Sequence, residues 1–270
     1  MLADTEETIW RRDGFVSCAN LLSESEIDLL FRVIWKHYCG VTGATYGKQS
    51  QQFWKDQEFH QTLIELRSKE PKRFGQIYDR IQTNSVVQSI ALKQTITEVA
   101  ARLLSDDAMC LSASGVTFRI DPPHDVRNAL NWHQDQSYMP VNRNGLHGLV
   151  FWIPLQDTNH ENGAIRVRVS SHTQGHINVP LGESGAGSSE QYAVPLTQMA
   201  DYDDVQVGAK AADAVVMPMN LVHASGHNGS DRIRFTLLVR FHRSLVPDFL
   251  PFRFDRALVR NAEPLGHANR

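Results

Sequence analysis

The sequence predicts a mainly β fold with flanking helices, an antiparallel sandwich or barrel carrying a helical layer. Three observations support this. Helix-period patterning fills the first hundred residues. From about Cys110 onward it gives way to short extended segments separated by turn residues. Helices first, then a run of strands, is the order of a layered β domain rather than of alternating βαβ units. The third observation is bulk: 270 residues, 41% hydrophobic and 21% charged, suit a chain that buries its own core without a disulfide. The expectation is one domain over 1–270, with a helical part to about residue 108 and a β core from about 110 to 245. A long polar, glycine-containing stretch at 178–205 reads as a mobile insertion.

Ser23 with Glu26 three positions on forms a capping box. Behind it, Ile27, Leu30, Phe31 and Ile34 recur at the spacing of one helix face. Residues 53–67 read as a second, weaker helix. Residues 86–104 read as a third, with Leu92, Ile96, Val99 and Leu103 on one stripe. The polar run 40–52 between the first two is a loop. The extended segments are 114–120, 132–135, 148–154, 164–169, 214–217 and 232–242, with a turn at 159–163. In 164–169, Ile165, Val167 and Val169 alternate with Arg166 and Arg168. In 232–242, Ile233, Phe235, Leu237, Val239 and Phe241 share a single face.

A net charge of −3 and an isoelectric point near 6.4 give no global attraction to nucleic acid, and no basic stripe with interleaved aromatics is visible. No run approaches the length of a membrane span, and the acidic start of the chain does not read as a secretion signal. Cys18, Cys39 and Cys110 are odd in number and widely spaced, so they suggest neither a zinc knuckle nor a disulfide framework. A reduced, cytoplasmic setting is the expectation. Twelve histidines direct attention to metal binding.

His133 and Asp135 stand two residues apart in an extended segment, so both side chains face one side. His223 follows the apolar segment 214–217. Two histidines and a carboxylate on one face of an ion leave its remaining positions open, the arrangement used by non-haem Fe(II) oxygenases. Arg234, eleven residues past His223 on the next strand, suits two-pronged recognition of a carboxylate, and Ser225 offers a hydroxyl nearby. A 2-oxoglutarate molecule that chelates iron through its keto-acid end needs such an anchor at its far carboxylate. His227 is a competitor for the last ligand but lacks the downstream spacing. Arg166 and Arg168 are either a solvated strand edge or a handle for an anionic substrate.

These pieces resemble the phytanoyl-CoA dioxygenase-like family of Fe(II)/2-oxoglutarate oxygenases. The matching residues begin with Arg12, Asp13, Gly14, Phe15 and Val16, then the His133 and Asp135 pair. They continue with Trp152, Pro154, Leu155 and Asp157, then Asn162 and Gly163, then Ser171 and His172. The last and most specific block is His223, Ser225, Asn228, Ser230 and Arg234. The resemblance spans about residues 9–243. It implies a double-stranded β-helix, a cupin-like jelly roll, with His133, Asp135 and His223 on Fe(II), and with Arg234 and Ser225 on 2-oxoglutarate. It further implies O₂-driven hydroxylation of a small molecule with release of succinate and CO₂. Retention of Asp135 favours hydroxylation over halogenation, because related halogenases carry a small residue there. The family's Pro-Gly-Ser-His turn reads here as Val169, Ser170, Ser171 and His172. A catalytically silent metal-binding jelly roll and a zinc hydrolase could use the same ligands. The intact Arg234 counts against both.

Overall fold

A computed structural model describes residues 4–47, 49–125, 129–183 and 190–250. Helices α1 (Asp4–Asp13), α2 (Glu24–Thr42), α3 (Gln57–Lys69), α4 (Pro71–Gln82), α5 (Ser85–Ala91) and α6 (Gln94–Leu104) precede most of the strands, as the patterning implies. A short strand, β1 (Val16–Cys18), lies between α1 and α2. The strands that follow are β2 (Leu111–Asp121), β3 (Gly148–Pro154), β4 (Ile165–Arg168), β5 (Gly182–Glu183), β6 (Glu190–Gln191), β7 (Asp204–Val207), β8 (Ala214–Pro218), β9 (His223–Ala224) and β10 (Arg234–Arg243). A single helical turn, α7 (Asp135–Tyr138), lies between β2 and β3.

Two antiparallel sheets face each other. The larger runs β1-β8-β3-β10-β2 and the smaller β7-β4-β9. This is the double-stranded β-helix. Period-2 alternation decides what each strand offers to which layer. On β10, Phe235, Leu237, Val239 and Phe241 meet the helices, joined by Phe118 and Ile120 of β2 and by Leu149, Phe151 and Ile153 of β3. From the helical side come Leu30, Phe31 and Ile34 of α2, Ile77 and Ile81 of α4, and Ile96 of α6. Phe31 stacks on Trp54 at 5.0 Å and meets Phe235 edge-on at 4.9 Å. A second cluster, with Val150, Trp152, Ile165, Val167, Val215 and Met217, fills the space between the sheets.

The capping box forms as expected: the Ser23 side chain accepts from the Glu26 backbone, and Glu26 reaches back to the Ser23 N–H. The single helix expected at 86–104 is instead two. Asn84 caps α5, and the chain breaks at Leu92, which is 39% exposed rather than part of an apolar stripe. Lys93 then opens α6 and pairs with Glu26 at 2.7 Å, a contact across 67 positions that no local pattern encodes. Pro71 opens α4, whose Phe74, Ile77 and Ile81 share a buried face. The flanks of the insertion pack: Ile177, Val179, Val194 and Met199 gather around Val222. Residues 184–189, at its centre, lie outside the described set.

His60 joins the helical layer to β10. Its Nε2–H donates to the Trp54 carbonyl at 2.9 Å and its Nδ1 accepts from Ile233 N–H at 3.1 Å, so the neutral ring is fully used. Burial pushes its pKa from 6.5 down to about 4, and burial does the same to His242. On acidification the unfolded chain therefore takes up these protons first. Their contribution to stability is complete above pH 6.5 and is lost as pH falls from there towards 4. Urea midpoints of the metal-free protein are expected to drop between pH 7.5 and pH 5. A flat profile over that range would refute the assignment.

Candidate active site

The ligand segment is built differently from the strand expected at 132–135. His133 makes a single β-bridge to His223, with both backbone N–H···O bonds in place at 2.9 and 3.0 Å. Gln134 is extended, at φ −115° and ψ 132°, and Asp135 then begins α7. One extended residue between them suffices to turn His133 and Asp135 to a common side. Gln134, pointing the other way, is fully buried. It donates to the Asn220 carbonyl at 2.6 Å and accepts from Ile177 N–H at 2.7 Å.

The ligating atoms of His133, Asp135 and His223 all lie within 4.8 Å of one another, and all three residues are buried. Each imidazole is oriented from behind. His133 Nδ1 donates to the Asn131 carbonyl at 2.7 Å, and His223 Nδ1 to the Leu221 carbonyl at 3.0 Å. Both bonds fix the tautomer that leaves Nε2 a bare lone pair. The two Nε2 atoms stand 3.5 and 3.7 Å from Asp135 Oδ1, and His133 Nε2 is buried with no hydrogen-bond partner. Burial, with His133 beside it, pushes the His223 pKa down to about 4. Burial alone would raise the Asp135 carboxyl, but the Arg240 guanidinium outweighs it and holds the carboxyl well below the usual range. Two imidazole nitrogens, one of them orphaned, and one carboxylate form a donor set that fits a divalent transition metal with open positions.

These residues open on a pocket, partly open to solvent, whose lining also includes Arg234, Ser225, Arg119, Arg240 and Trp152. Arg234 starts β10 opposite Asp121 of β2. Its Nη2 donates to Asp121 Oδ2 at 2.9 Å, and its Nη1 donates to the carbonyls of Gly163 and Gly226. Its Nε–H is buried without a partner. Ser225 Oγ accepts from Leu130 N–H at 3.1 Å. Gly163 has φ +85°, and a Cβ there would lie 2.3 Å from Arg234 Nη1, so the turn at 159–163 requires glycine on both counts. Asn228 accepts from Ser230 and donates to the carbonyls of Asp121 and Arg232, which fixes the start of β10.

The remaining motif residues act at a distance. Ser171 Oγ accepts from Val222 N–H at 2.9 Å, next to His223. Ser170 binds the carbonyls of Arg12 and Asp13, and the His172 ring lies where a Cβ on Gly14 would fall. The segment Arg12 to Gly14 thus braces the turn that braces a candidate ligand. His227, the competing histidine, is exposed and faces His124 at 3.3 Å, away from the cluster.

Arg166 and Arg168 point away from the cavity. Arg166 pairs with Asp204, Arg168 donates to the Tyr202 carbonyl at 3.0 Å, and both lie over the Trp132 ring at 4.9 and 4.5 Å. The guanidinium groups at the cavity are Arg119, Arg234 and Arg240. Arg119 and Arg240 went unrecognised as site residues. Their signal is the polar face that alternates with the largely apolar face of β2 and β10.

Comparison with known proteins matches the phytanoyl-CoA dioxygenase (PhyH) family model over residues 10–236, and the chain belongs to that family. Among solved structures, the fold is similar to the non-heme monooxygenase ThoJ in its apo form, at 23% identity, TM-score 0.62, and 94% and 92% coverage of the two chains. It is also similar to EvdO2 from Micromonospora carbonacea var. aurantiaca complexed with 2-oxoglutarate, at 18% identity, TM-score 0.57, and 93% and 96% coverage. The non-heme alpha ketoglutarate dependent carbocyclase SnoK from nogalamycin biosynthesis aligns at 20% identity, TM-score 0.57, and 93% and 94% coverage. Comparison with curated proteins gives no match. No helix among the described residues is long and apolar enough to cross a membrane.

Proposed function

We propose that this protein is an Fe(II)- and 2-oxoglutarate-dependent dioxygenase that hydroxylates an unactivated C–H bond of a small molecule, releasing succinate and CO₂. The observation that carries the reading is the convergence, on one cavity, of three buried ligand atoms within 4.8 Å and a buried arginine with an open donor. Iron would supply the O₂ activation that no side chain can. His133, Asp135 and His223 hold it, and the carbonyls of Asn131 and Leu221 keep both imidazoles aimed. Arg234 receives the distal carboxylate of 2-oxoglutarate through Nε–H, and the free Ser225 hydroxyl hydrogen lies on the same cavity wall. The apolar wall of Val150, Trp152, Ile165, Met217 and Leu238 keeps water away from the reacting centre. Substrate placement in that cavity decides between hydroxylation and other outcomes of the same hydrogen abstraction. One structural neighbour is a carbocyclase and another an epimerase.

The test is anaerobic. Fe(II) and then 2-oxoglutarate are added to apo-protein while the visible charge-transfer absorption of the chelate is followed. A band that needs both components supports the reading, and succinate release then screens substrates. Tight zinc binding with no such band would overturn it in favour of a hydrolase or a silent metal-binding protein.

A further inference from the structure

Arg240 lies on the inner face of β10, six residues beyond Arg234, with Gly115 of β2 and Val150 of β3 opposite it. It is buried, and its Nε donates to Asp135 Oδ2 at 2.8 Å. Nη1 reaches the Thr117 hydroxyl at 3.4 Å, which holds the guanidinium in place from the strand alongside. The two oxygens of Asp135 are thereby assigned different tasks: Oδ1 faces the imidazoles, and Oδ2 is committed to Arg240.

This division bears on how many metal positions the protein occupies. A carboxylate can bind an ion through one oxygen or through both. Two imidazoles and one oxygen fill three positions of a six-coordinate ion and leave three. A co-substrate that chelates through two atoms, together with O₂, needs all three. Were Asp135 to bind through both oxygens, one of them would be lost. A charge-assisted hydrogen bond to Oδ2 opposes that second contact, because the oxygen would have to give up a buried cationic donor to make it.

We infer that Arg240 is a positioning residue that keeps Asp135 a one-oxygen ligand and so keeps open a metal position for 2-oxoglutarate and O₂. The inference rests on the functional reading above. It differs from simple neutralisation of a buried carboxylate, for which any cation would serve. Here a directed donor to Oδ2 is required, and charge without that geometry does not suffice.

Three variants separate the two ideas. Arg240→Met removes charge and donor, Arg240→Gln keeps an N–H donor without charge, and Arg240→Lys keeps charge with a different geometry. Iron affinity is measured by chelator competition, and 2-oxoglutarate affinity by the anaerobic charge-transfer band, with thermal melts confirming folding. The expected result for Arg240→Met is iron affinity lowered by no more than about a hundredfold and, at saturating iron, a 2-oxoglutarate Kd raised by about tenfold or more with a shifted band. Arg240→Gln should recover most of the affinity and Arg240→Lys less. Two results would overturn the inference while leaving the functional reading intact. One is an Arg240→Met protein with unchanged band and Kd, and the other is rescue by Lys but not by Gln. If Arg240→Met fails to fold, the Gln and Lys comparison alone decides. Absence of the band in the wild-type protein would remove the functional reading, and this inference with it.

Discussion

Replacing His223 with alanine is expected to abolish iron binding and turnover while leaving the metal-free fold intact. The two effects part because the residue serves different ends in the two states. In the metal-free protein its Nε2 lone pair faces Asp135 Oδ1 at 3.7 Å and the His133 ring at a centroid distance of 4.2 Å. Burial and that neighbour hold its pKa at about 4, so the ring is neutral and makes no ion pair at neutral pH. Its structural contribution is one hydrogen bond, from Nδ1 to the Leu221 carbonyl. The backbone bridge to His133 survives truncation of the side chain. Thermal melts of apo His223→Ala should therefore stay close to wild type. Iron affinity should fall by more than about a hundredfold, beyond the range seen when only an outer-shell partner is altered. His133→Ala should behave in the same way: it removes the unpartnered Nε2 together with the single Nδ1 bond to the Asn131 carbonyl. Retention of iron by either variant would show that the metal is held elsewhere.

Short-range geometry accounts for what could be read of this site from the sequence. His133 and Asp135 are separated by one extended residue, and His223 and Arg234 by one turn and the start of one strand. Both relations are therefore local. What brings the two pairs together is a single bridge between His133 and His223, ninety positions apart, which ligand chemistry and the family resemblance suggest but no local pattern encodes. Arg119 and Arg240 show the opposite case. A charged residue alternating with apolar ones on a strand ordinarily marks the solvent face. Here the second sheet closes over that face, so the alternation is correct while its polarity is inverted. The helical layer divides along the same line. The α2 cap is written in four consecutive residues. The break between α5 and α6 is stabilised by Lys93 reaching Glu26 on α2, and α1 acquires its buried face only by placing Trp10 against the common core.

Arg234 gives the second large expected effect, and its surroundings shape how it must be tested. Replacement by methionine is expected to raise the KM for 2-oxoglutarate by about ten- to a hundredfold. The charge-assisted hydrogen bond from Nε is lost, a contribution of roughly 1.5–3 kcal/mol. Iron affinity should be unchanged, because no Arg234 atom bonds to His133, Asp135 or His223. The complication is Asp121. It accepts from Arg234 Nη2 and, through both of its oxygens, from Arg119 at 3.1 and 3.0 Å. Burial would raise its carboxyl, but the two guanidinium groups hold it below the ordinary range. Removing Arg234 leaves this buried carboxylate with one cation in place of two, a change that lowers stability whatever the co-substrate does. Arg234→Lys keeps a cation within reach of Asp121 while removing the Nε–H donor. If Arg234 is the anchor, the lysine variant recovers melting temperature without recovering 2-oxoglutarate affinity. If the loss of affinity in the methionine variant is only a consequence of a disturbed β2–β10 edge, stability and affinity return together, and the anchor must be sought among the other cavity arginines.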